Sequence, residues 1–225
     1  MEKRNEAQCI AVVEQCVMTE AALRFILNDR QNINASVLFF NNVQSLKYAL
    51  NILDVTAVIF SLSGHRQLRL ESLLFLHEIA CSNPDVCRVV LADNIREASL
   101  INQLAPFHLH GILNKSTPRE TLQEQLLLLL AQQTSLRNEP FRQKGVHRLI
   151  PSPIEQSILR CMADGYSLPE IAVQLGRNIK TIRAHKCNAM ARLGFSSDLG
   201  LLSAADLLIH LPPPCDKDAA EAERM

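Results

Sequence analysis

Long hydrophobic runs are missing from this chain. The longest fully apolar stretch, Leu126–Ala131, has six residues, whereas a membrane-spanning helix needs about 20. The start, MEKRNEAQ, is polar and only five apolar residues follow it, so no signal peptide is expected. No Cys-x-x-Cys occurs: the seven cysteines fall at irregular spacings, which suits free thiols in a reducing cytoplasm. Gly-rich phosphate loops and zincin-type histidine spacings are also absent, and with no convergent acid–base or nucleophile set an enzyme is not expected. His108-x-His110 has no cysteine or acid at ligand spacing, so no metal, cofactor or small-molecule ligand is expected.

Net charge is also lacking, with 23 basic and 23 acidic side chains, but its distribution is uneven. Residues 1–131 carry 11 basic and 13 acidic groups, a balance of −2. Residues 144–193 carry 8 basic and 3 acidic, +5, and residues 194–225 carry 2 and 6, −4. A positive segment inside a neutral chain points to a nucleic-acid contact confined to that segment. Its modest charge implies weak, salt-dependent intrinsic affinity.

Within the positive segment, Ser167–Leu193 predicts two helices joined by a tight turn. Ser167 and Glu170 have the spacing of a capping box. Ile171, Ala172 and Leu175 give the first helix its apolar face, and Gly176 stands where a positive φ is needed. Asn178 then caps a second helix with apolar positions Ile179, Ile182, Ala189, Met190 and Leu193, a helical period. Its other side carries Lys180, Arg183, Ala184 and Cys187, with Lys186 beside them. A helix that buries one side and offers cations on the other fits a major groove. The plainer alternative is a solvated face on a helical hairpin.

Upstream, the chain alternates short Val/Ile/Phe-rich runs with amphipathic stretches. Strands are expected at Cys9–Val13, Val37–Phe40, Ala57–Phe60, Arg88–Ala92 and Gly111–Leu113, with helices such as Thr19–Asn28, Val43–Leu53 and Gln67–Cys81 between them. A further helix should open at Thr117-Pro118-Arg119-Glu120 as a capping box with proline at its first position. Near-continuous apolar strands between helices indicate a parallel sheet covered on both faces. Five βα units of this length fit a flavodoxin-like sheet, whose ligand edge lies at the carboxyl ends of the strands. Residues 132–150 lack periodicity and include Pro140 and Gly145, as a linker does. Ser152-Pro153-Ile154-Glu155 starts a new helix with Ile158, Leu159 and Met162 on its buried face. Asp198 is expected to cap a last helix, with Leu199, Leu202, Ala205, Leu208 and Ile209 apolar, ended by Pro212-Pro213-Pro214 before an acidic tail.

Ser152-Pro153-x-Glu155, Gly165, Glu170-Ile171-Ala172, Leu175, Lys180-Thr181-Ile182, His185 and Leu193-Gly194 together resemble the LuxR/NarL/FixJ-type four-helix DNA-binding domain. The resemblance implies base-edge contacts at Arg183, Ala184 and Cys187. It places Asn178, Lys180, Thr181, His185 and Lys186 at the recognition helix's cap and nearer the phosphates, with helix packing the alternative for His185. It also implies that the last helix pairs two such domains, against simple packing onto its own domain. The expected organisation is an α/β receiver-like domain with a five-stranded parallel sheet at 1–131, a linker at 132–144, an all-α helix-turn-helix domain at 145–210 and a tail at 211–225.

The first domain resembles a response-regulator receiver whose chemistry is gone. A receiver binds a hard divalent cation through carboxylates and phosphorylates one aspartate. Here Glu14-Gln15 stands for two acids, Ser61 occupies the phosphoacceptor position, and Ala92 replaces the hydroxyl residue after the fourth strand. Only Lys115 keeps the family's identity, as a remnant expected to pair with a nearby acid or carbonyl. The lesser alternative is that Asp93, one residue past Ala92, restores a metal site with Glu14. A serine hydroxyl without an activating base does not replace a nucleophilic carboxylate. This is a pseudo-receiver.

Within the family, Glu14-x-Cys16-Val17-Met18, Ala57-Val58-Ile59-Phe60-Ser61, Arg177–Lys186 and Ser196-Ser197-Asp198 resemble auxiliary regulators that pair with an RcsB-like response regulator. That resemblance implies a cytoplasmic, nucleoid-associated activator that binds double-stranded DNA as a heterodimer. It implies relief of nucleoid-protein silencing of operons such as those for aryl-β-glucoside utilisation. The alternatives are an interaction-only co-regulator and a self-sufficient homodimer. Redox sensing at Cys187 is a lesser possibility.

Overall fold

The computed structural model describes residues 8–27, 35–62, 66–105, 107–136, 152–193, 197–198 and 201–202. The chain divides into two compact units. One is built on five parallel strands, β1 (Gln8–Val13), β2 (Ala35–Phe40), β3 (Ala57–Ser61), β4 (Cys87–Ala92) and β5 (Gly111–Asn114), in the order β2-β1-β3-β4-β5. The strands are joined through α1 (Val17–Leu27), α2 (Val43–Leu50), α3 (Arg66–Ser82) and α4 (Ile95–Leu104), and α5 (Arg119–Leu136) follows the last.

The order follows from burial. β3 and β4 are buried at every position, so helices must cover both their faces, and only parallel strands with helical crossovers arrange that. Edge strand β2 is only partly buried. In register, Val13 lies opposite Phe60 and Ser61 opposite Leu91, so the carboxyl ends of β1, β3 and β4 meet at one edge. One core layer joins Ile10, Val12, Ile59, Val89 and Leu91 to Leu23 and Ile26 of α1 and to Leu122, Leu126 and Leu130 of α5.

All five expected strands are present, within two residues of their bounds. Helix α2 stops at Leu50 rather than Leu53 because Asn51–Leu53 turn back onto the Ala49 carbonyl. Helix α5 departs from expectation at both ends. Glu120 faces Arg119 at 3.2 Å, and among the described residues no bond joins it to Thr117, so the proposed box does not form. At the other end the helix continues through 132–136, which were assigned to the linker, because the polar sequence QQTSL hides a helix from periodicity without disfavouring one.

The other unit packs α6 (Pro153–Ala163), α7 (Leu168–Gln174) and α8 (Ile179–Leu193) around Ile158, Cys161, Ile171, Ala172 and Ile182. Leu201 is buried and Leu202 half-buried in a further short helical stretch. Leu199, Ala205, Leu208 and Ile209, the other residues assigned to dimerisation, lie outside the described residues, as do the proline run and the tail.

Cys9, Cys16, Cys87, Cys161 and Cys187 are free thiols. Burial pushes the Cys87 thiol up to about 12, so it stays protonated. Cys81 is disulfide-bonded, against the expectation of thiols throughout. Spacing carries no information on pairing, which depends on tertiary proximity. Among the described residues no helix is long and apolar enough to cross a membrane.

Candidate nucleic-acid interface and the remnant pocket

The helix-turn-helix geometry grows from four local devices. At the start of α6, Glu155 Oε2 accepts the Ser152 N–H at 2.7 Å, with Pro153 in the first turn where no donor is missed. The same Oε2 meets Arg192 Nη1 at 2.9 Å, tying α6 to the end of α8. Before α7, Glu170 accepts the Ser167 N–H at 2.8 Å and its hydroxyl at 2.6 Å. The hydroxyl bond and then the backbone bond hold the Glu170 carboxyl below its usual range. Between the helices, Gly176 adopts φ +58° while the Arg177 N–H returns to the Ala172 carbonyl at 2.9 Å. That turn is left-handed, the conformation glycine adopts most readily. Asn178 Oδ1 then accepts the Lys180 N–H at 2.8 Å and caps α8.

The result is a two-sided α8. Ile182, Ala189 and Leu193 are buried, while Lys180, Thr181, Arg183, Ala184 and Cys187 are all exposed. Lys180 and Arg183 have no ion-pair partner among the described residues. Both are exposed on α8, and Arg177, in the turn before it, is exposed as well. His185 is half-buried on the flank. Ile179, expected in the core, is 37% exposed because it is the first residue of α8 and precedes the turn that meets α6 and α7.

Lys186 differs most from its expected place. Its side chain is only 12% exposed and its Nζ sits 2.6 Å from Asp198 Oδ2. At the helical repeat it lies about 120° round the helix from Lys180, on the core side. One Asp198 carboxylate oxygen is thus engaged by Lys186 at the start of the last helical turn. The Ser197 carbonyl accepts the Leu201 N–H in the same turn. Sequence reasoning missed this pair because 12 residues separate its members.

In the sheet unit, Glu14, Ser61 and Lys115 converge at the carboxyl ends of β1, β3 and β5. Glu14 is buried, with Oε1 accepting the N–H groups of Gln15 and Cys16, each at 2.8 Å. Its Oε2 accepts the Ser61 hydroxyl. The serine expected to lack a base beside it does have a carboxylate neighbour: β1 and β3 are adjacent, which brings Glu14 onto Ser61. The pair is closed in, with Glu14 1% and Ser61 7% exposed. Lys115 Nζ lies 2.8 Å from Asp93 Oδ1, 3.3 Å from the Leu62 carbonyl and 3.9 Å from Glu14 Oε2. Oxygens of the kind a hard divalent cation uses therefore face an ammonium. Gln15 is exposed and Ala92 is fully buried, its carbonyl accepting the Lys115 N–H. Asp93 further accepts the Ser116 hydroxyl at its carbonyl and donates its N–H to Glu97.

Residues 152–205 match the family described as bacterial regulatory proteins, luxR family. The chain is 40% identical over 212 residues to the transcriptional activator protein BglJ of Escherichia coli K12, covering 93% of this chain and 92% of that one. It belongs to the LuxR family. The transcriptional regulatory protein RcsB of the same strain is 27% identical over 191 residues, covering 80% of this chain and 84% of that one. RcsB of Salmonella enterica serovar Typhimurium, solved bound to promoter P1flhDC in the presence of a phosphomimetic, shares the fold. Its TM-score is 0.70 at 24% identity, over 90% of this chain and all of that one. This LuxR-family chain is a DNA-binding transcription regulator with a receiver-like first domain.

Proposed function

We propose that the chain is a transcription activator that reads double-stranded DNA with α8 and works without phosphorylation, as a heterodimer with an RcsB-like response regulator. The observation that carries the reading is the open face of α8, where Lys180, Arg183, Ala184 and Cys187 are exposed together above a buried apolar side. Lys180 and Arg177 suit phosphates, and Arg183 suits a guanine edge. Three open cations make a small electrostatic footprint, because each phosphate neutralised contributes about 0.9 to the salt slope. A partner carrying its own recognition helix would supply the rest. The resemblance to an activator, and to RcsB beside it, supports the sign and the partner.

Independence from phosphate rests on the pocket. Ser61 sits where receivers carry aspartate, and Lys115 occupies the oxygens left by Glu14, Asp93 and Leu62. With no phosphate switch, activity follows the concentrations of the chain and its partner. Relief of nucleoid-protein silencing at operons for aryl-β-glucoside use is the corresponding physiological role. The cytoplasm, at the nucleoid, is the compartment where that role is exercised.

Fluorescence anisotropy on a candidate promoter fragment tests this, with the chain alone, RcsB alone and the mixture, each with and without acetyl phosphate and Mg²⁺. Tight, competitor-resistant binding by the mixture alone, with the chain itself unphosphorylated, is expected. Equal binding by the chain alone would make it a self-sufficient homodimer. Binding by the mixture that survives Arg183→Ala and Lys180→Ala together would make it an interaction-only co-regulator.

A further inference from the structure

We propose that Asp198 is a positioning residue that withholds Lys186 from DNA and so sets the strength of the chain's electrostatic contact. The inference rests on the reading of α8 as the DNA-facing helix. Of the four cations on α8, Lys180 and Arg183 are open, Arg192 meets Glu155 at 2.9 Å, and Lys186 meets Asp198 at 2.6 Å.

The two engaged cations are held differently. Arg192 pairs with a carboxylate that is 5% exposed and also caps α6, so that pair is part of the scaffold. Lys186 pairs with a carboxylate that is 61% exposed. Water screens a carboxylate so placed, and such a pair contributes little to stability. Lys186 itself is 12% exposed and stands at the border of the core side and the open face, about 60° round α8 from Arg183. Its long stem is drawn toward the Asp198 side and its charge is cancelled where it stands. Released, the same four-carbon stem could swing the ammonium toward a phosphate beside α8. The pair thus acts as a brake: it removes one phosphate contact without removing the lysine. An affinity held down in this way leaves the chain dependent on additional contacts for tight binding.

The test measures the affinity of the full chain for a random-sequence duplex across a salt series. The proteins compared are the wild type, Asp198→Asn, Lys186→Met, the double variant and Lys180→Ala. Asp198→Asn should steepen the plot of log affinity against log salt by about 0.9, one additional phosphate. Across a fourfold salt range, that is an extra loss of affinity of about threefold. Lys186→Met should leave the wild-type slope unchanged and abolish the steepening in the double variant. The proposal is overturned if Asp198→Asn leaves the slope where it was. It is equally overturned if Lys186→Met alone flattens the slope, or if the double variant keeps the gain. Should Asp198→Asn fail to fold, Asp198→Ser takes its place in the same salt series, with the same expected steepening and the same overturning result. Lys180→Ala separates this proposal from the reading beneath it. If it flattens the slope while Asp198→Asn is silent, only the brake fails. If it too is silent, the DNA-facing assignment of α8 fails and the brake falls with it.

Discussion

The two units of this chain have kept their folds and treated their functional surfaces in opposite ways. The sheet unit retains the receiver strand order, yet the chemical edge at the ends of β1, β3 and β5 is closed by its own side chains. Glu14 accepts Ser61, and Lys115 fills the space between Asp93, Leu62 and Glu14. The helix-turn-helix unit retains its scaffold contacts, and the outward face of α8 stays open with Lys180 and Arg183 exposed. Fold persistence depends on core packing and caps, which tolerate a changed surface. Function depends on a few side chains that the core does not require.

That contrast is most strongly broken from inside the small unit. Ile182 is fully buried at the junction of the three helices, and Ile182→Ala should cost about 2–5 kcal/mol. In a unit of this size that is a large part of the total. Thermal melting followed by circular dichroism should show an early helical transition, with DNA binding lost. An unchanged melt would mean that α8 is not held by this core.

A smaller effect is expected at the closed pocket. Lys115→Met leaves Glu14 buried without its ammonium, and breaking such a pair costs about 3 kcal/mol at the lower end of the usual range. The lower end applies because Lys115 stands 3.9 Å from Glu14 and Asp93 is 46% exposed. Urea denaturation should show the loss in the sheet unit, while the affinity of a folded sample for DNA stays the same. A variant that gains stability would mean that the lysine is a strained relic and not a lock.

The test with the smallest effect per step uses pH. Burial first, then the Arg88 and His108 charges, bring His110 down from 6.5 to about 3. Its Nδ1 accepts the Arg88 N–H at 3.1 Å, so the folded state holds it neutral. Between pH 6.5 and 3 the unfolded chain binds the extra proton. The stability contributed by a neutral His110 is therefore complete above pH 6.5 and lost as pH falls toward 3, at up to about 1.4 kcal/mol per pH unit. Comparing His110→Gln with the wild type by denaturation across this range should show a shallower acid slope in the variant. Parallel slopes would place the proton elsewhere.

Much of the fold was legible because its signals are local and repeated. Five Val/Ile/Phe runs marked the strands, and Ser152, Glu155, Ser167, Glu170, Gly176 and Asn178 marked the ends of helices through caps and a positive φ. Where local signals are weak the reading failed. QQTSL carries no apolar period, so the end of α5 at Leu136 was hidden. The Thr117 box had the right letters, but Glu120 turned toward Arg119. Most of the open face of α8 was legible as a list of residues, since one helix fixes which side chains share a side, but Lys186 was not, because its carboxylate partner lies 12 residues on.

The sequence alone determined the parallel α/β pattern, the helical hairpin and the serine, Ser61, at the end of the third strand. Each is set by residue identity or by neighbours within about a turn of helix or strand. Only the tertiary structure decided what each charge is for. It brought Glu14 to Ser61 across 47 residues, Asp93 to Lys115 across 22, and Asp198 to Lys186 across 12. Whether a cation is open or cancelled depends on which carboxylate folding brings within about 4 Å of it, and no periodicity in the chain carries that distance.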